Sequence, residues 1–300
     1  MPITTSASID DAVKTFVAES RYTMQDKPGV LWNSISKEML PEKNGPTVTV
    51  PKFGQINTYA LTQGVDMAQA QEITDSGIPI TPAEYGAQVI LTDYLMMTAR
   101  DDYFRTAGRL LGESFDRQRE QTLCDDLDNF SVALGSAATL LNVGHIMAAV
   151  NTLKYNAPAN GTAGRGGEPA PGEIQIFLTP SQIHSLSKTL AGGVGAAAAT
   201  QISPETGRAG GGAEFRIPGV PAVIKSTINI NKDTSDDAKG GAMSSEAIIG
   251  VQLGGGPSSE KERDASLRAW EVNFTGYWGR AEYNDAWGRE MLFDSALPTS

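Results

Sequence analysis

One stretch constrains the rest of the chain. Residues 99 to 134 (ARDDYFRTAGRLLGESFDRQREQTLCDDLDNFSVAL) carry Phe104, Ala107, Leu111, Phe115, Leu123, Leu127, Phe130 and Leu134 on a broadly continuous stripe, the period expected of a single helix with one apolar face. At about 1.5 Å per residue such a helix runs roughly 50 Å. Helices in compact domains average about a dozen residues, so this one is long for a globular core.

The segments before it look short of a core of their own. From Thr47, TVTVPKFGQINTYAL alternates in the manner of a strand, and IPITPAEYGAQVILTDYL supplies a second extended run after the polar stretch GVDMAQAQEITDSG. This describes a long two-stranded excursion whose tip is short of large apolar residues, and an isolated hairpin is marginal in water. Residues 1 to 45 read as an arm with two short amphipathic helices. Ser8 is placed to cap the first, with Val13, Phe16 and Val17 on one face; Leu31, Trp32, Ile35 and Met39 mark the second, ahead of Pro41.

Residues 140 to 255 read as a separate α/β module. Asn142 caps a helix facing inward through Ile146, Met147, Val150 and Leu153, and a Gly-rich loop leads to the strand EIQIFL. Thr179 and Gln182 have capping-box spacing, Pro180 takes the first helical position, and Ile183, Leu186 and Leu190 form the apolar face. Short strands follow in FRIPGVPAVIKSTI and SEAIIGVQL, so a sheet flanked by helices is expected. Residues 266 to 294 return to a β pattern rich in aromatics: Trp270, Val272 and Phe274 alternate, followed by Tyr277, Trp278, Tyr283, Trp287 and Phe293. No repeat of fixed period is present.

Charge and cysteine usage exclude several classes. With 35 acidic against 24 basic residues the net charge is −11, which opposes non-specific adhesion to nucleic acid or anionic membranes. Cys124 is the single cysteine, so no intrachain disulfide or multi-cysteine metal site forms, in keeping with a reducing cytoplasm. The sequence has no apolar run of about eighteen residues and no basic, apolar leader, so neither a membrane span nor a secretory signal is expected.

The order of arm, long hairpin, long helix, α/β module and final β segment resembles the major capsid proteins of tailed phages, the Hong Kong phage-type fold also used by encapsulin shells. ITPAEYGAQVILTDYL resembles the segment leading from the extended loop into the spine helix. IQIFLTPSQIHSL resembles the central strand and following helix of the axial domain, and FRIPGVPAVIKSTI with SEAIIGVQLG its later strands. FTGYWGRAEYNDAWGREMLFD resembles the closing strands of the peripheral domain.

The resemblance implies an α+β fold with an N-terminal arm (1–45), an extended β-hairpin loop or E-loop (46–85), a peripheral domain with spine helix and β-sheet (86–139 and 256–300) and an axial α/β domain (140–255). It implies a structural subunit, not an enzyme, that self-assembles into hexamers and pentamers of an icosahedral head. The head is assembled in the host cytoplasm and encloses double-stranded DNA without specific binding and without a membrane. The implied partners are further copies of itself, a separate scaffolding protein or none, a portal protein and, in some shells, a decoration protein. An encapsulin-like nanocompartment shell is the alternative, and an enzyme of unrecognised type a distant third. Family members with a proteolysed scaffolding segment carry about a hundred residues before the loop, whereas here the loop starts near residue 46. Covalent cross-linking through a loop lysine is not expected, because Lys52 is the only lysine between Lys43 and Lys154 and sits near the hairpin's base.

No catalytic, cofactor-binding or metal site is expected. His145 and His184, the only histidines, read with Cys124 as isolated residues and not as a thiol–base pair. Asp125, Asp126 and Asp128 point in different directions around a helix and read as a solvated face. Asn229, Asn231, Asp233 and Ser235 have calcium-loop spacing, yet Thr234 stands where the loop needs Gly and Gly240 where it needs Glu. The Gly-rich runs GRGG and GRAGGG lack the Lys-Ser/Thr of a P-loop, and GxSxG is absent. The C-terminal aromatics with Arg280 and Arg289 fit one packed face of a sheet better than a base-stacking platform.

Overall fold

The computed structural model describes residues 29–40, 45–53, 58, 60–67, 70, 72–73, 75–98, 102–155, 169–194, 214–217 and 219–297. The first amphipathic stretch of the arm and both Gly-rich runs lie outside them. In chain order the elements are β1 (Ser36–Leu40), β2 (Val48–Phe53), β3 (Asp75–Ile80), β4 (Ala83–Thr92), α1 (Asp93–Thr98), α2 (Asp102–Leu127), β5 (Ala133–Gly135), α3 (Val143–Tyr155), β6 (Ile174–Leu178), α4 (Pro180–Val194), β7 (Glu214–Phe215), β8 (Ala222–Ser226), β9 (Asp237–Ser244), β10 (Ile248–Asp264), β11 (Ala269–Glu282) and β12 (Gly288–Asp294).

The strands form a four-stranded sheet in the order β1-β10-β11-β4, a six-stranded sheet in the order β5-β12-β9-β6-β8-β7, and the ribbon β2-β3. The caps read from sequence for α3 and α4 are in place, while Ser8 lies outside the described residues. Asn142 Oδ1 accepts from the His145 amide at 3.0 Å to start α3. At α4, the Gln182 amide donates to Thr179 Oγ1 at 3.3 Å while Gln182 Oε1 accepts from the Thr179 amide at 3.1 Å, the reciprocal capping box. Gln182 is fully buried and its amide nitrogen also donates to the carbonyls of Ala238 and Phe293, which ties α4 to β9 and β12.

Helices α3 and α4 cover one face of the six-stranded sheet through Ile146, Val150, Leu153 and Leu186 against Ile174, Ile176, Ile224 and Phe293. A second core joins α2 (Phe115, Leu123, Leu127), the turn at residues 29–35 (Leu31, Trp32, Ile35) and residues from both sheets, including Phe177, Met243, Ile248 and Trp278. The long helix is therefore packed against both sheets at once.

Three expectations are corrected. The helix expected at Leu31–Met39 is a turn followed by β1, which pairs in parallel with β10 from Ser36↔Ile249 to Leu40↔Leu253. A buried strand edge offers the backbone more hydrogen bonds than a short exposed helix would, and Trp32 and Ile35 reach the core from the turn. The spine helix ends at Leu127, about 40 Å from its start, and Leu134 continues the apolar pattern from β5 instead. SEAIIGVQL opens β10 in the four-stranded sheet, not in the α/β module, while the closing run GREMLFD forms β12 in the six-stranded sheet. The two crossings lie side by side, with the Tyr283 amide donating to the Ala247 carbonyl at 2.8 Å.

Candidate functional site

The residues with catalytic potential are held apart in structural roles. Cys124 is buried in the core around α2, and burial pushes its thiol well above the usual range; a thiol in that state is a poor nucleophile. His145 belongs to the other core, tilted against Phe293 at 4.8 Å between ring centroids, and His184 is exposed on α4. The three aspartates at the end of α2 diverge. Asp125 accepts from Asn231, Asp126 pairs with Arg280, and Asp128 pairs with Lys239. They form ion pairs and hydrogen bonds rather than the purely solvated face read from sequence.

In the loop with calcium-like spacing, Asp233 Oδ1 accepts from the amides of Ser235 at 2.8 Å and Asp237 at 2.9 Å, a local turn that occupies the carboxylate. Among the described residues no group of three acidic, histidine or cysteine side chains is placed to hold a metal ion. Of the aromatics of the final segment, Trp278 is buried, stacked on Tyr85 at 4.8 Å and edge-on to Trp32 at 6.0 Å, whereas Tyr277 is exposed. Arg289 is turned onto backbone carbonyls, including that of Gly288 at 2.6 Å.

What the molecule offers instead is surface for contact. The base of the β2-β3 ribbon packs Val48, Val50, Ile78 and Ile80 against Ile249, Val251, Leu253, Ala281 and Tyr283 of the four-stranded sheet. The Tyr283 hydroxyl donates to the Pro51 carbonyl at 3.2 Å and Lys52 lies over its ring at 5.8 Å. The base thus has a partner within the chain, which the sequence did not announce. Beyond it, Phe53, Leu61, Val65, Met67 and Ile73 each expose more than 60% of their surface. The sequence reading of a tip short of large apolar residues passed over these side chains, and exposed apolar side chains gathered in one loop mark a contact surface.

The turn at residues 29–35 fixes how the sheets and the long helix meet. Glu120 of α2 is fully buried, and its two carboxylate oxygens accept from the Leu31 amide at 3.0 and 2.9 Å. Burial raises its pKa, opposed by the hydrogen bonds from the backbone at Leu31, Trp32 and Gly29. Gln175 of β6 donates to the Ser34 carbonyl at 3.2 Å and Lys225 of β8 donates to Ser34 Oγ at 2.7 Å. Trp32 sits under the Arg119 guanidinium, 4.3 Å from the ring centre, and against Gly250 of β10, where a Cβ would lie 2.7 Å from the ring. No sequence periodicity marks Glu120 for this role, since it reads as one more polar residue of an amphipathic helix.

Two β-sheets are bridged by one long helix, and a ribbon packs by its base on the four-stranded sheet. This is the Hong Kong phage-type capsid fold. The capsid of Ralstonia phage GP4 is similar with a TM-score of 0.67 at 16% identity over 92% of this chain and 91% of that one. The head structure of Helicobacter pylori bacteriophage KHP40 is similar with a TM-score of 0.67 at 10% identity, covering 91% of each chain. An encapsulin complex from Synechococcus elongatus is similar with a TM-score of 0.59 at 12% identity, covering 90% of each. No protein-family model and no curated relative matches the sequence.

Proposed function

We propose that this chain is a major capsid protein, a non-enzymatic subunit that assembles with its own copies into the hexamers and pentamers of an icosahedral phage head around double-stranded DNA. The carrying observation is the agreement in fold with phage capsid subunits over nine-tenths of the chain. The uncovered apolar tip of the ribbon supports it, because a soluble monomer gains nothing from exposing it.

In this reading residues 1–45 are the N-terminal arm and 46–85 the E-loop reaching over a neighbour. The four-stranded sheet with α2 is the peripheral domain. The six-stranded sheet with α3 and α4, including β12, is the axial domain around the capsomer centre. Scaffolding, portal and decoration proteins would be separate partners in the virion. Assembly strength comes from many modest contacts repeated around closed rings.

The likeness to an encapsulin gives a second reading, a nanocompartment shell. Particles purified after expression decide: closed shells that package DNA when the neighbouring phage genes are present support a capsid, closed shells holding a protein cargo and no genome support a compartment, and a monodisperse monomer contradicts both.

A further inference from the structure

Among the described residues, the four-stranded sheet leaves one stretch of backbone and one face open side by side. Strand β1 pairs with β10 only as far as Leu253, whereas β10 runs on to Asp264, paired on its other side with β11 from Ser258↔Thr275 to Asp264↔Ala269. Among the described residues no strand pairs with the outer side of β10 beyond Leu253. The register sorts the charges by face. Glu260, Glu262 and Asp264 share a face with Glu271, Asn273, Thr275 and Tyr277 of β11 and with Glu84 and Gln88 of β4. Lys261 and Arg263 point to the opposite face, each over Trp270, where β11 meets α2 through Phe274 and Phe115.

The acidic face carries no lysine or arginine at any of those paired positions, and Glu262 stands directly across from Glu271. Like charges directly opposite each other are destabilising; Glu271 accepts a hydrogen bond from Gln88 at 3.1 Å, and an incoming base would add a charge partner to both carboxylates. This half of the face adjoins the half already covered by the β2-β3 ribbon.

A second copy does not fit this edge. Residues directly opposite in an antiparallel pair lie on the same face, so two copies joined by a twofold axis would set glutamate against glutamate on one face and Lys261 and Arg263 against their own counterparts on the other. Nor does another segment of the chain fit, because bases two residues apart occur only at Arg117/Arg119, inside α2, and at Lys261/Arg263 themselves. We propose that the outer edge of β10 from Ser258 to Asp264 accepts a β-strand from a different protein, one that carries Lys or Arg at alternate positions over Glu260 and Glu262. Main-chain hydrogen bonds would give the affinity and the alternating bases the register.

The test uses the soluble full-length chain and defined peptides, so its outcome does not depend on whether shells form. A ten-residue peptide alternating lysine with threonine is titrated by fluorescence anisotropy in 0.15 M salt. It is compared with the same peptide N-methylated at alternate amides and with one carrying glutamate for lysine. The expected result is saturable binding by the lysine peptide, weakened at least tenfold by N-methylation of the edge-facing amides and at least tenfold by the double substitution E260Q/E262Q. Absence of binding overturns the proposal. Binding that survives both N-methylation and E260Q/E262Q also overturns it, since that is charge attraction elsewhere on an acidic chain. Thermal unfolding of E260Q/E262Q guards against misfolding, and its midpoint should equal or exceed that of the parent because the repulsion with Glu271 is relieved.

Discussion

At the scale of single residues, the strongest constraints are buried polar groups and close approaches that no sequence period reveals. Replacing Glu120 by Ala leaves the Leu31 amide facing a cavity, so equilibrium unfolding should show a loss of about 1–3 kcal/mol. The sign of its pH response follows from burial, which raises the carboxyl above its ordinary 4.5 in the folded state. A raised group contributes its full stabilisation below the unfolded value, and that contribution falls as pH rises through the folded value. The advantage of E120Q relative to the parent should therefore grow as pH increases upward from about 4.5, measured as the difference in Tm at a series of pH values. A difference that shrinks over that interval would contradict the assignment. At Gly250 the ring of Trp32 leaves no room for a Cβ, and G250A should cost about 1–3 kcal/mol by overpacking, read from the same unfolding curves.

At the scale of elements, the turn at 29–35 and the ribbon do opposite work. The turn joins α2, β6, β8 and β10 into one body; truncating Trp32 to Ala should destabilise the subunit by about 3–5 kcal/mol. Deleting residues 60 to 74 of the ribbon should leave the thermal midpoint nearly unchanged, because the exposed tip contributes little to either core, while shell formation is lost. Circular dichroism and sedimentation together check this, and intact shells from the deletion would contradict the loop assignment. Elements with a local signal were legible in the sequence: the capped α3 and α4, the α2 stripe from Leu111 to Leu127, and the alternation of Trp270, Val272 and Phe274. The misplaced elements depend on distant partners. Leu31, Trp32 and Ile35 suit a helical stripe equally well, and only the edge of β10, more than two hundred residues later, makes the following segment a strand. The exchange of β10 and β12 between the sheets is likewise invisible locally, because an apolar strand does not state which sheet it joins. For the candidate site, the sequence marked out no catalytic cluster, and the structure gives Cys124, His145 and the α2 aspartates separate packing and pairing roles. It did not foretell the exposed apolar tip, whose exposure depends on packing, or the acidic sheet face, which depends on register.

At the scale of the whole molecule, the features fit the proposed capsid subunit, which would be completed by its neighbours. One helix packs against both sheets, and the exposed apolar side chains of the ribbon and the acidic face of the four-stranded sheet lie outside that core. The proposed capsid role stands or falls on assembly. The most direct measurement is electron microscopy of the purified chain co-expressed with its neighbouring genes, with particle mass determined by light scattering. Closed icosahedral shells built from hexamers and pentamers are the predicted result; a monodisperse monomer or small oligomer under those conditions would contradict the account.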